Sequence, residues 1–216
     1  MLNLDGPTLI SRILTLVIAF TLHEFAHAWT ADRFGDMTPR QYGRLTLNPL
    51  RHLDVLGSLL LLVAGFGWAK PVPINPNELR RRSPAAVMWV SLAGPFSNFL
   101  MAIAAAIPLR LGLVKASLSL GPGWLPTPYY FLSEFVLINL VLMLFNLIPL
   151  PPLDGDKIAE YFAPPALANL MNVLRPYGSL VLMALIFLPQ FFNVDALGWI
   201  MNPALSNLWY LLTGGA

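Results

Sequence analysis

Five residues, His23-Glu24-Phe25-Ala26-His27, place two imidazoles and a carboxylate inside an apolar stretch. On an α-helix His23 and His27 lie one turn apart on one face, close enough for both rings to bind a single Zn²⁺. Glu24, one position round, stays free of the metal and suits a base that takes a proton from a metal-activated water. Charge, metal and water are all expensive among Leu, Ile and Phe, so groups of this kind in a membrane-length run point to use. The chemistry predicted is hydrolysis inside or at the edge of a membrane.

A second unusual segment supplies what this pair lacks. In Asn146-Leu147-Ile148-Pro149-Leu150-Pro151-Pro152-Leu153-Asp154-Gly155 the prolines at 149, 151 and 152 cannot continue a helix, since each removes a donor and clashes with the turn before it. Extended backbone at membrane depth is tolerated only where it is packed in protein or lines a polar cavity. Asp154 then offers a carboxylate, and two imidazoles plus one carboxylate leave a fourth tetrahedral position open, the arrangement of a catalytic zinc. Two alternatives stand beside this. Asp154 also suits a helix N-cap ahead of Gly155-Asp156-Lys157-Ile158. His52, from a polar loop, is the competing third ligand: the chain has three histidines and no cysteine, so thiolate zinc sites, disulfides and cysteine nucleophiles are excluded.

The elements that must position these groups read as membrane spans. Of 216 residues 56% are hydrophobic and 11% charged, too apolar for an ordinary soluble domain, and the net charge of +2 with no aromatic-and-basic patch indicates no nucleic-acid partner. Pro7 after Asp5-Gly6 suits a helix start, and the first span is expected from Leu9 to about Ala31. Asp5 beside the single Arg12, and the polar pair His23-Glu24 where a cleavage site would be approached, argue for a retained span rather than a removed signal peptide. Further spans are expected at Ala85–Leu109, Tyr130–Pro149, about Tyr177–Phe192 and about Val194–Leu212, with a short interfacial helix within 163–176 and a plain connector at Gly112–Pro128. The apolar run Leu53–Phe66 is short for a span. Read as re-entrant, it leaves Arg33, Arg40, Arg44 and Arg51 on the same side as Lys70 and Arg80–Arg82, as the positive-inside rule prefers. The expectation is an all-α polytopic membrane protein of about five to six transmembrane helices, with a re-entrant or extended segment near the active site. It forms one domain over 1–216, with a catalytic core at about 9–160 and C-terminal membrane helices at about 163–212. His23, His27 and Asp154 then share a level near the cytoplasmic face.

Together His23-Glu24-x-x-His27 and Asn146-x-x-Pro149-x-Pro151-x-Leu153-Asp154-Gly155 resemble the site-2 protease family of intramembrane zinc metalloproteases. Ala93-Gly94-Pro95-Phe96-Ser97-Asn98 matches a third family signature on the intervening span, and Gly43-Arg44-Leu45-Thr46-Leu47-Asn48-Pro49 is typical of the compact members that lack a PDZ domain. The resemblance covers about residues 9–160. It implies one Zn²⁺ per chain on His23, His27 and Asp154, with Glu24 as base and Asn98 and Asn146 holding substrate or steadying the oxyanion. It also implies transmembrane protein substrates, cut in or near their spans in the cell membrane of a prokaryote.

Several of these residues have plainer readings. Asn98 and Asn146 also serve simply to bond helices together. Gly94-Pro95 reads equally as a kink and close helix contact. Glu134 is expected at the far interface, and Asp156 and Glu160 in solvent. Phe66–Pro73, alternating Trp, Val and Pro, suits an exposed edge that holds an unwound substrate by strand addition, or a tight exit from the re-entrant run. The rival from another class is a zinc-binding membrane protein without protease activity, a transporter or an inactive scaffold. A transporter needs polar groups right across the bilayer, whereas here they cluster at one end, and mere binding does not require Glu24.

Overall fold

A computed structural model describes residues 5–54, 57, 67–117, 119–187 and 196–215. The first helix, α1, runs Gly6–Arg33, with the Asp5 side chain accepting from the Thr8 N–H and Pro7 in the first turn, where its missing donor is harmless. A short turn of helix, α2 (Thr38–Gln41), and a 3₁₀ turn (Pro49–Arg51) follow. Then come α3 (Pro76–Arg82), α4 (Ala86–Arg110), α5 (Pro128–Asn146), α6 (Asp154–Phe162), α7 (Pro165–Leu174), a 3₁₀ turn (Arg175–Tyr177), α8 (Gly178–Phe187) and α9 (Ala196–Thr213).

The described chain is all-helical, as expected, with one isolated antiparallel bridge between Leu53 and Ala69. Among the described residues four segments are long and apolar enough to cross a membrane: Gly6–Arg33, Ala86–Arg110, Pro128–Asn146 and Pro165–Phe187. That is fewer than the five to six expected. The short helix expected within 163–176 and the span expected from Tyr177 fall in one 23-residue segment. The last helix, α9, carries Asn202, Pro203, Ser206 and Asn207, which lower its hydropathy. Apart from Asp54 and Gly57, the interior of Leu53–Phe66 lies outside the described residues. Its flanks are clear: the Leu53–Ala69 bridge and a 2.7 Å bond from the Lys70 N–H to the His52 carbonyl bring the two ends together.

Helix α4 is the central post, packed against α1, α5 and α6, with α9 against α5 and α4. Lipid tails are as apolar as Leu, so close packing of small residues holds such helices together better than expulsion of water does. Ala102, Ala105 and Ala106 of α4 accordingly meet Val136, Leu140 and Met143 of α5 in a buried cluster. Ser11, Thr15 and Ala19 of α1 are fully buried as well. Large apolar side chains such as Phe96, Leu100 and Ile107 point outward, as they should toward lipid. A second cluster joins Ala31 of α1 to Leu79, Ala86, Val87 and Val90, so the end of α1 that carries the histidines is clamped between α3 and the start of α4.

Candidate metal centre

His23 and His27 project from the same face of α1 toward α4 and are buried. The His27 Nδ1 lies 2.7 Å from the Val90 carbonyl oxygen of α4. A carbonyl only accepts, so Nδ1 carries the proton and a neutral ring presents a bare Nε2. The His23 Nδ1 lies 2.6 Å from the Asn98 Oδ1. The Asn98 Nδ2 donates to the Asn139 Oδ1 (2.9 Å), and the Asn139 Nδ2 donates to the Phe135 carbonyl (2.9 Å), which settles the direction of the whole chain. His23 is therefore also protonated at Nδ1 when neutral, and its Nε2 is bare. The two Nε2 atoms face each other at 3.0 Å.

Asp154 completes a triangle. The proline-rich run after α5 ends the helix at Asn146, three residues short of the expected Pro149, and turns back so that α6 starts at Asp154. Leu153, not Asp154, occupies the N-cap position, so the capping alternative for Asp154 is not realised. Gly155 is required by this fold-back: a Cβ there would collide with the carbonyls of Leu147 and Ile148. The Asp154 Oδ2 sits 3.2 Å from the His23 Nε2 and 3.3 Å from the His27 Nε2, buried and without a hydrogen-bond partner.

Three acceptors converging on one point repel unless a cation lies between them. The edges of 3.0, 3.2 and 3.3 Å match the ~3.3 Å ligand separation of a tetrahedral zinc with bonds near 2.05 Å. A space also exists for the ion. A Cβ added to Gly94 of α4 would overlap the Nε2 atoms of both histidines, so this position holds open the space in front of them. His23, His27 and Asp154 thus form a group that could hold one metal ion. His52 is not part of it; its ring nitrogen Nε2 bonds the Thr46 carbonyl at 2.7 Å.

Glu24 is buried next to His23, and its Oε2 accepts from the backbone N–H of Val72 at 3.1 Å. Val72 lies in the extended stretch 67–75, which is held at several points. The Arg44 guanidinium, itself buried, donates to the carbonyls of Arg51 (2.6 Å), Lys70 (3.1 Å) and Pro71 (3.3 Å). Buried Asp36 takes the N–H of Asn75 (2.6 Å) and of Thr38 (2.9 Å). Arg44 thus ties the basic loop before Leu53 directly to the stretch after it, on one side of the molecule.

The two asparagines part company. Asn98 is fully buried, and both its polar atoms are engaged, one by His23 and one by Asn139. Asn146 is the last residue of α5, and its Nδ2 donates to the Leu142 carbonyl of its own helix (2.9 Å). Asp156, expected in solvent, is instead buried, accepting from Arg175 (2.9 Å) and Lys157 (3.1 Å). Its neighbour Glu160 pairs with Arg175 (2.8 Å) and Arg80 (3.4 Å). Glu134 of α5 pairs with Arg12 of α1 (3.0 Å), about three helical turns before His23. Sequence reading passed over Asn139 and Asp36 and saw Arg44 only as a loop charge and part of a signature, because a single Asn, Asp or Arg carries no spacing signal that names its partner.

Comparison with known proteins places this geometry. A candidate zinc metalloprotease of Bacillus subtilis, YwhC, is 44% identical over 182 residues, covering 82% of this chain and 80% of that protein. Rip2 of Mycolicibacterium smegmatis, also named as a candidate zinc metalloprotease, is 31% identical over 80% of this chain and 65% of its own length. MJ0611 of Methanocaldococcus jannaschii, named likewise, is 28% identical over 74% of each chain. No family model and no solved structure matches. With the histidine pair, the returning Asp154 and the level of identity to YwhC in agreement, the chain belongs to the site-2 protease family of zinc metalloproteases.

Proposed function

We propose that the protein is an intramembrane zinc endopeptidase that hydrolyses peptide bonds in or near the spans of other membrane proteins. The observation that carries this is the convergence of two bare Nε2 atoms and an unpartnered carboxylate oxygen, one residue away from a buried Glu24. His23, His27 and Asp154 would hold the zinc, one per chain. When bound, zinc would supply Lewis-acid polarisation of the scissile carbonyl and a lowered pKa for water. Glu24 is the general base: its carboxylate takes a proton from the attacking water and later delivers it to the leaving amine. The Val72 N–H holds one oxygen of that carboxylate, which leaves the other to carry the proton. Asn98 orients His23 and is completely buried between it and Asn139, which argues for a positioning role rather than an oxyanion one. Asn146 gives one amide N–H to the Leu142 carbonyl, which leaves the second N–H to serve the oxyanion.

An intact helix hides its carbonyls, so a substrate span must unwind before it is cut. The pinned extended stretch 67–75, one hydrogen bond from the base, is a surface against which the unwound strand can lie. Substrates are then single spans with a helix-weakening residue near the cytoplasmic third. The basic residues gathered by Arg44 and Lys70 support a site toward the cytoplasmic face of the cell membrane. In detergent, the wild type should cleave such a span, and Glu24→Gln should keep its metal while losing at least ~10²-fold in rate. Wild-type cleavage by Glu24→Gln would remove Glu24 from the mechanism.

A further inference from the structure

We propose that Asn139 is a positioning residue for the metal centre, acting through Asn98 on His23, and that this relay keeps the two halves of the site in register. The inference rests on the zinc reading above. Its basis is a directed chain of three hydrogen bonds among buried groups. The Phe135 carbonyl accepts from the Asn139 Nδ2, the Asn139 Oδ1 accepts from the Asn98 Nδ2, and the Asn98 Oδ1 accepts from the His23 Nδ1. Asn98 and Asn139 are both completely buried. Each amide has two ways round, and a free Asn98 would turn either its oxygen or its nitrogen to His23. The backbone carbonyl at the far end removes that choice, because it accepts and never donates. Asn139 thereby presents oxygen to Asn98, Asn98 presents oxygen to His23, and the His23 proton is kept on Nδ1 with Nε2 bare for the metal.

The relay also crosses three helices. His23 is on α1, Asn98 on α4 and Asn139 on α5. Helix α5 leads directly into the run that ends at Asp154, so the helix that delivers the carboxylate ligand is bonded to the helix that delivers the imidazoles. Nothing about an apolar core demands two buried amides at this place. Their neighbours Ala102, Val136 and Leu140 pack without polar atoms. Partners of metal-bound histidines fix ring orientation, and their loss typically weakens metal binding by about 10- to 100-fold.

The test uses the full-length chain in detergent, with zinc affinity read by chelator competition and ligand geometry by the visible absorption of the Co²⁺-substituted protein. Asn98→Leu should weaken zinc by about 10- to 100-fold and Asn139→Leu by about tenfold, both with altered Co²⁺ bands. Because Asn139 acts only through Asn98, the double variant should bind no worse than Asn98→Leu alone. Asn139→Asp, which when protonated offers the same donor and acceptor, should recover the wild-type bands. Val136→Ala, a cavity one turn away, should lower thermal stability and leave affinity and bands unchanged. Wild-type affinity and bands in Asn139→Leu would overturn the relay, as would losses that add in the double variant. The double variant also keeps the test open if Asn139→Leu alone folds badly, since it removes the unpaired amide. A wild type that takes up neither Zn²⁺ nor Co²⁺ would overturn the zinc reading and the relay with it.

Discussion

Gly94 shows how much of the centre depends on a group that is missing. The nearest atoms to the Cβ it lacks are the ring nitrogens of His27 and His23, so the residue keeps clear the space in front of both Nε2 atoms. Gly94→Ala should therefore fold and yet lose zinc, by at least about tenfold in affinity, because a methyl group would stand where the ion belongs. Isothermal titration beside circular dichroism would check this; wild-type affinity in the variant would show that the ion sits elsewhere. That His23, His27 and Asp154 come together could be anticipated from the sequence, because zinc chemistry restricts ligand types and the chain offers few. Gly94 was legible only as a close contact, since nothing in a sequence says which neighbour a glycine admits. The buried charge of Asp156 was read wrongly because its partner, Arg175, lies 19 residues on and across a helix break.

At the scale of elements, the stretch 67–75 is the piece whose conformation matters most. Its carbonyls at Lys70 and Pro71 are held by Arg44, its Val72 N–H by Glu24 and its Asn75 N–H by Asp36. Hydrogen bonds from a charged donor contribute about 1.5–3 kcal/mol each. Arg44→Ala should free this stretch while leaving the histidines untouched. The expected result is faster hydrogen exchange across 67–75 and slower cleavage, with zinc still near one per chain. Loss of zinc in that variant would mean that Arg44 supports the centre itself. The alternating Trp, Val and Pro of Phe66–Pro73 suggested either an exposed edge or a tight exit from the run before it. What held it was not legible, because the clamps are single residues contributed by distant loops.

At the scale of the molecule, the helices beyond the family motifs are tied back to α6, the helix that starts at Asp154. Arg175 reaches from the turn between α7 and α8 to Asp156 and Glu160 on α6, two and six residues beyond Asp154. Just after it, Gly178 packs so closely on Pro151 that a Cβ would clash with that residue. The C-terminal third, apolar and otherwise featureless in sequence, thus bears on the segment that carries the carboxylate ligand. Arg175→Ala would leave Asp156 buried with Lys157 alone. It should destabilise the protein by on the order of 3 kcal/mol. A lowered melting temperature, with zinc released at the same lower temperature, is the expected outcome; an unchanged melt would show that the C-terminal helices are held by lipid-facing packing instead. The span count was less legible than the site. Hydropathy marks apolar length, and it neither separates a short interfacial helix from the span that follows nor weighs the scattered Asn and Pro of α9.

The central claim, that His23, His27 and Asp154 hold one catalytic zinc, is tested most directly by elemental analysis of metal per chain. Wild type, Glu24→Gln and Asp154→Ala would be purified side by side in detergent. The account predicts about one zinc per chain in the first two and a sharp reduction in the third. A full load in Asp154→Ala, or no zinc in folded wild type, would contradict it.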